Sequence, residues 1–218
     1  MRRRALLFLA AGAPALALAA VVPPLIEAAG RGDSADVVRL LAAGAAVNAI
    51  DARRRNAVLA ATQGGHVEAA RLLIGQGADV NAQDEIQDNA FLLAGARGHT
   101  EIVRLALAAG ADLKSTNRYG GTALIPASHY GHVETVRLLL GTAIEVDHVN
   151  RLGWTALLEA VILGDGGPRH LEIVRLLLAR GADPRRADAQ GVAPLAHAQA
   201  RGQSAVAALL RSALAARR

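Results

Sequence analysis

Histidine beside carboxylate is the vocabulary of metal ligation and of acid–base catalysis, and one part of this chain is rich in it. His129, His132, His148 and His170 share a stretch with Asp147, Glu159 and Asp165. Spacing removes most of that signal. His66, His99 and His132 stand 33 residues apart, and His170 follows after 38. Residues that return with a period belong to a scaffold, so within this stretch only His129 and His148 are left unassigned. Two imidazoles fall short of the three or four ligands that zinc requires. Cysteine is absent, which removes thiolate nucleophiles and ligands. There is also no glycine-rich phosphate cradle opening a helix after a strand, and no serine elbow. The residues therefore read as non-enzymatic, with no metal and no cofactor. The competing reading is a small-molecule or metal-binding protein using His129, His148 and the segment 165–169.

The elements that would position any site come from a recurrence. The stretch Gly131 to Leu140, GHVETVRLLL, has close copies at Gly65-His66 and Gly98-His99, and Gly32-Asp33 holds the same phase one step earlier. A period of this size denotes stacked helix-turn-helix units. Within a unit, Thr122 or Thr155 is placed to cap a short first helix carrying Leu124, Ile125 and Ala127, or Leu157, Leu158 and Ala160. Glu134 opens the second helix, where a negative charge suits the dipole, and Val136, Leu138, Leu139 and Leu140 form its apolar stripe. The glycine of each Gly-Ala-Asp triplet (Gly77, Gly110, Gly181) stops that helix in a left-handed conformation. Helices this short bury their faces only by stacking.

These residues carry a family resemblance. The pattern GTALxxA…GHxEIVRLLLxxGADVNAxD closely resembles the ankyrin repeat. The resemblance implies an all-α solenoid of about six L-shaped helix-turn-helix units with β-hairpin loops, binding partners on its concave side. The units lie near 24–50, 51–83, 84–116, 117–149, 150–187 and 188–214. The family's Thr-Pro-Leu-His becomes Asn-Ala-Val-Leu at Asn56, Asn-Ala-Phe-Leu at Asn89 and Thr-Ala-Leu-Ile at Thr122, and only Pro194-Leu195 keeps the proline. Other side chains must supply the hydrogen bonds so lost. Pro126 falls inside a first helix and removes a backbone donor.

Function then rests on the positions that vary between units. Carried over from the family, loop tips and exposed ends of first helices contact partners. Here they hold Arg53 and Arg55, then Glu85, Ile86, Asp88 and Arg97, then Arg118, Tyr119, His129 and Tyr130, then Arg151, Leu152, Trp154, Ile162 and Leu163. Phe91 sits at a packing position, whereas Tyr119, Tyr130 and Trp154 map to the contact face of the fourth and fifth units. Rigid rings flanked by arginine are the residue types that anchor protein interfaces. The period breaks beside them: Asp165-Gly166-Gly167-Pro168-Arg169 has no counterpart in other units. It reads as an extra recognition loop, with Asp165 and Arg169 as contacts. The expected ligand is another protein, met by a monomer.

At the N-terminus, Arg2-Arg3-Arg4, the apolar run Ala5 to Ala13 and the small-x-small site Ala17-Leu18-Ala19 read as a bacterial secretory signal over residues 1–19, ahead of a repeat domain over 20–218. The periplasm or the exterior is the expected location. A membrane enters only if Ala5 to Val22 stays uncleaved, since 18 residues lie at the lower limit for a span. Without the three leading arginines, 21 basic residues face 19 acidic ones. Only Arg53-Arg54-Arg55 clusters, and a nucleic-acid footprint needs a whole basic face, so nucleic acid is not an expected partner. The apolar share of 52% supports a continuous core. With aromatics at 2%, that core must be built from Ala, Leu, Val and Ile.

Overall fold

Asp51, Asp84, Asn117, Asn150 and Asp188 recur at the head of successive units, and each folds the chain in the same way. One side-chain oxygen accepts two backbone N–H groups, from the residues two and four further on, at 2.9 to 3.1 Å. The same residue's N–H meets the carbonyl four residues on, as in Asn150 to Trp154 at 3.0 Å. This closes a tight turn. The expected β-hairpin loops take this form: hydrogen-bonded turns, with no strand among the described residues, which in this computed structural model are 22–216. The expected secretory segment 1–19 lies outside them.

Between the turns run helix pairs. They are α1 (Pro24–Arg31) with α2 (Ser34–Ala42), α3 (Ala57–Gly64) with α4 (Val67–Gly75), and α5 (Ala90–Arg97) with α6 (Thr100–Ala108). Then come α7 (Leu124–His129) with α8 (Val133–Leu140), α9 (Ala156–Ile162) with α10 (Pro168–Ala179), and α11 (Pro194–Ala200) with α12 (Ser204–Ala215). First helices stack on first helices and second on second, each touching the next along the chain. The core is one continuous cluster running through all the pairs. Phe91 is fully buried, as its packing position requires, among Leu, Ile, Val and many Ala residues that allow close helix approach. No helix among the described residues is long and apolar enough to cross a membrane.

The periodic histidines lock neighbouring pairs together. His66, His132 and His170 reach back one unit through Nε2 to the carbonyls of Gly30, Ala96 and His129, at 3.1, 3.1 and 2.8 Å. The glycines closing the first helices leave room for the rings: a Cβ on Gly98, already at φ +71°, would lie 2.5 Å from the His132 ring. Scaffold is thus the right reading of these histidines, but they join units rather than fill one.

Three of the first helices, α3, α5 and α9, start at a side-chain cap. Asn56 and Asn89 accept from Leu59 and Leu92 N–H at 2.9 and 2.8 Å, and Thr155 from Leu158 N–H at 3.2 Å. The asparagines thereby make good part of the missing Thr-Pro-Leu-His bonding, and Asn56 also donates to the Asp79 carbonyl at 2.8 Å. Thr122, expected to cap α7, does not. In sibling helices the fourth residue after the cap donates to the cap carbonyl, but here that residue is Pro126. The Thr122 carbonyl accepts from Ile125 instead, at 3.2 Å. The turn tightens, α7 shortens, and Thr122 Oγ1 is left buried without a partner.

Candidate partner-binding recess

The second helices present a repetitive outer surface. Their Glu-x-x-Arg pairs (Glu68 with Arg71, Glu101 with Arg104, Glu134 with Arg137, Glu172 with Arg175) also bridge units, Arg71 to Glu101 at 3.0 Å and Arg137 to Glu172 at 3.3 Å. Such exposed pairs add little stability, and they leave those charges already partnered. The other face, made by the turns and the first helices, is where the units differ.

On that face the turns of the fourth and fifth units, with α7 and α9 beneath them, enclose a recess of about 330 Å³. Arg118, Tyr119, His129, Tyr130, Leu152 and Leu163 line it, together with Ile125, Pro126, Asp88, Asn150 and Glu159. Tyr119 and Tyr130 are 52% and 55% exposed. Four of the eight large apolar residues exposed among the described residues (Tyr119, Tyr130, Leu152 and Leu163) meet here, and concentration of that kind marks interaction surfaces. The rim is held in place. His129 stacks on Tyr130 with centroids 4.2 Å apart, and Arg118 lies 4.7 Å over the Tyr119 ring.

The remaining candidates sit elsewhere. Arg151 braces the two turns, its N–H donating to the Tyr119 carbonyl at 2.9 Å and its guanidinium to the Arg118 carbonyl at 2.6 Å. Trp154 is half-buried, and neither it nor Ile162 lines the recess. The inserted segment departs most from expectation. Pro168 and Arg169 become an added first turn of α10, because proline is well suited to the first helical position. Asp165, still exposed, is tied down locally, accepting from Gly167 N–H at 2.8 Å and meeting His170 Nδ1 at 2.7 Å. Arg169 lines a shallow surface depression with Thr100 and His132, away from the recess. The insertion braces rather than extends the recess.

The competing metal reading loses its geometry. His148 lines a separate hollow with Asp112, Lys114 and Glu145, and its Nε2 meets the Gly120 carbonyl at 2.8 Å. His129 and His148 do not converge, and no group of three or more His, Cys, Asp or Glu side chains among the described residues is arranged to hold a metal ion.

Two acids at the recess are absent from the sequence-derived set of contacts or stand there only as loop-tip residues. Glu159 is 6% exposed. Its Oε1 accepts from Asn150 Nδ2 at 3.0 Å and its Oε2 lies 3.5 Å from His129 Nδ1. Burial pushes its carboxyl up to about 7. Asp88, raised by burial and by nearby Asp84, lies 4.0 Å from Arg118. Burial and the charge of His170 hold the His129 imidazole below its ordinary value. Glue between turn and helix is thus polar in the fifth unit, and one signal could have found it: Glu159 occupies a position that is Ala60, Leu93 and Pro126 in the preceding units.

The stacked helix pairs and this turn-side recess define a helical-repeat binding scaffold. A family model described as "Ankyrin repeats (3 copies)" matches residues 20–84 and 90–188, and the chain belongs to that family. Its repeats are protein–protein interaction modules, and the fold is a non-enzymatic one. The chain is similar to an ankyrin repeat domain from Acinetobacter baumannii AYE, at 50% identity and TM-score 0.84, covering 87% of this chain and 97% of that one. It is also similar to the ankyrin repeat protein EF0377, at 37% identity and TM-score 0.83 over 88% of this chain and 98% of that one. The ankyrin repeat domain of Bcl-3, a member of the IkappaB family, matches at 28% identity and TM-score 0.76, over 87% and 85% of the two chains. The ankyrin repeat protein YahD of Escherichia coli (strain K12) is 46% identical over 52 residues, which span 24% of this chain and 26% of that protein.

Proposed function

We propose that this chain is an exported, monomeric, non-catalytic docking protein that holds another protein against the concave, turn-side face of its fourth and fifth units. The observation that carries this reading is the meeting of Tyr119, Tyr130, Leu152 and Leu163 around one recess. Stacking fixes those side chains before a partner arrives, so little conformational entropy is lost on docking. Export is proposed from the leader-like segment 1–19, removed after Ala19.

Photo-crosslinking in cells producing the full chain tests both parts. A photoreactive residue at position 130 or 152 is expected to trap a discrete protein, whereas one at exposed Arg104, on the second-helix face, traps none. The mass of the trapped chain is expected to lack residues 1–19. Equal trapping from position 104 contradicts the docking face, and a retained leader contradicts the processing.

A further inference from the structure

The recess also selects a kind of side chain, an inference that rests on the docking role above. We propose that it receives one basic side chain, arginine or lysine, from an extended segment of the partner protein, with Glu159 as counter-ion and Tyr119 and Tyr130 beside the aliphatic stem.

Four observations carry this. Glu159 is nearly shut off from water yet lines the recess: Asn150 donates to Oε1 at 3.0 Å, while His129 Nδ1 stands 3.5 Å from Oε2. A mostly buried carboxyl whose recess-side oxygen has no donor nearer than 3.5 Å is costly to ionise, and an incoming guanidinium or ammonium supplies a closer partner. The fold does not ask for an acid there, because Ala60, Leu93 and Pro126 serve in the same position. Among the described residues no arginine or lysine is paired with it. Arg118, the one guanidinium lining the recess, faces Asp88 and the Tyr119 ring. On α10, His170 is taken by Asp165 and by the His129 carbonyl, and on α11 His197 is taken by Asp188 at 2.7 Å. His129 on α7 could pair only when protonated, and its surroundings oppose that. Finally, Ile125, Pro126, Leu152 and Leu163 suit a methylene stem or apolar neighbours on the same segment.

Binding of a cation favours the ionised carboxyl, so affinity rises with pH through Glu159's titration near 7. Between pH 8 and pH 6 the ionised fraction falls about tenfold, and affinity falls with it. Protonation of His129 at lower pH adds repulsion in the same direction.

The test uses blocked pentapeptides Ac-Ala-Leu-Xaa-Leu-Ala-NH2, with Xaa arginine, lysine, norleucine or glutamate, titrated into the full chain with NMR detection at pH 8 and pH 6. The basic peptides are expected to bind at least tenfold more tightly than the norleucine peptide at pH 8. That preference and its pH dependence should vanish in Glu159→Gln, which keeps the acceptor for Asn150, with unchanged circular dichroism. No binding of the arginine peptide at millimolar concentration, or equal binding of all four, overturns the proposal. Binding that needs Tyr119 and Tyr130 yet ignores both Xaa charge and Glu159→Gln overturns the basic-side-chain recess while leaving the docking face in place.

Discussion

Asn150 does two things with one side chain: its oxygen shapes the turn and its nitrogen donates to Glu159. An aspartate, the residue at the same place in the second, third and sixth units, could shape the turn but would set like charge against the buried acid. The sixth unit solves the same problem with opposite polarity, pairing Asp188 with His197 across the same spacing of nine residues. Glu159 titrates near 7 when folded against 4.5 for the unfolded group, so the folded state holds its proton longer. Stability from that proton is present below pH 4.5 and is lost as pH rises toward 7 and beyond. The full difference corresponds to ~3 kcal/mol. Glu159→Gln is therefore expected to unfold at a temperature on the order of 5 °C or more above the unmodified chain at pH 8. At pH 4.5 the two should coincide in a thermal melt followed by circular dichroism. The exposed tyrosines of the recess were legible at this scale because they stand out in a chain with 2% aromatics. Trp154 and Asp165 were not, because whether an out-of-phase side chain turns toward a recess or away from it depends on the turn and helix that carry it.

At the scale of elements, side-chain caps start α2, α3, α5 and α9, and left-handed glycines end α1, α3 and α5. The 33-residue period marks these positions plainly. What it hides is the cost of local exceptions. Pro126 cannot donate to the Thr122 carbonyl, and the turn that forms instead strands the threonine hydroxyl. Replacing Thr122 with Asn and Pro126 with Ala recreates the cap and first-turn donor of α3 and α5. The pair is expected to add about 1 kcal/mol to stability, read as a raised denaturant midpoint with unchanged slope. Thr122→Asn alone is expected to gain less, because the proline still lacks its N–H. The inserted segment teaches the same lesson. Its Gly-Gly-Pro composition reads as loop, yet Pro168 starts a helix and Asp165 ties the segment to His170. Composition reports tolerance for change, and only the packed neighbours decide which hydrogen bonds the segment makes.

Across the whole molecule, the fold was legible because each unit repeats one solution to one packing problem, and nearest-neighbour stacking does the rest. The site is less legible for the same reason: it lies in the differences between units, where sequence periodicity carries no information. The two faces divide these tasks, the second helices with their paired charges forming a uniform outer surface and the turn side gathering exposed rings and a buried acid. On the proposed function, Tyr119 and Tyr130 serve a partner and not the stack. Its most direct test is the affinity of the double variant Tyr119→Ala, Tyr130→Ala for the protein trapped from position 130, measured beside its thermal unfolding. A loss on the order of thirtyfold is expected, the size typical of interface anchors, with unfolding temperature unchanged. Undiminished affinity, or a variant that unfolds, would contradict it.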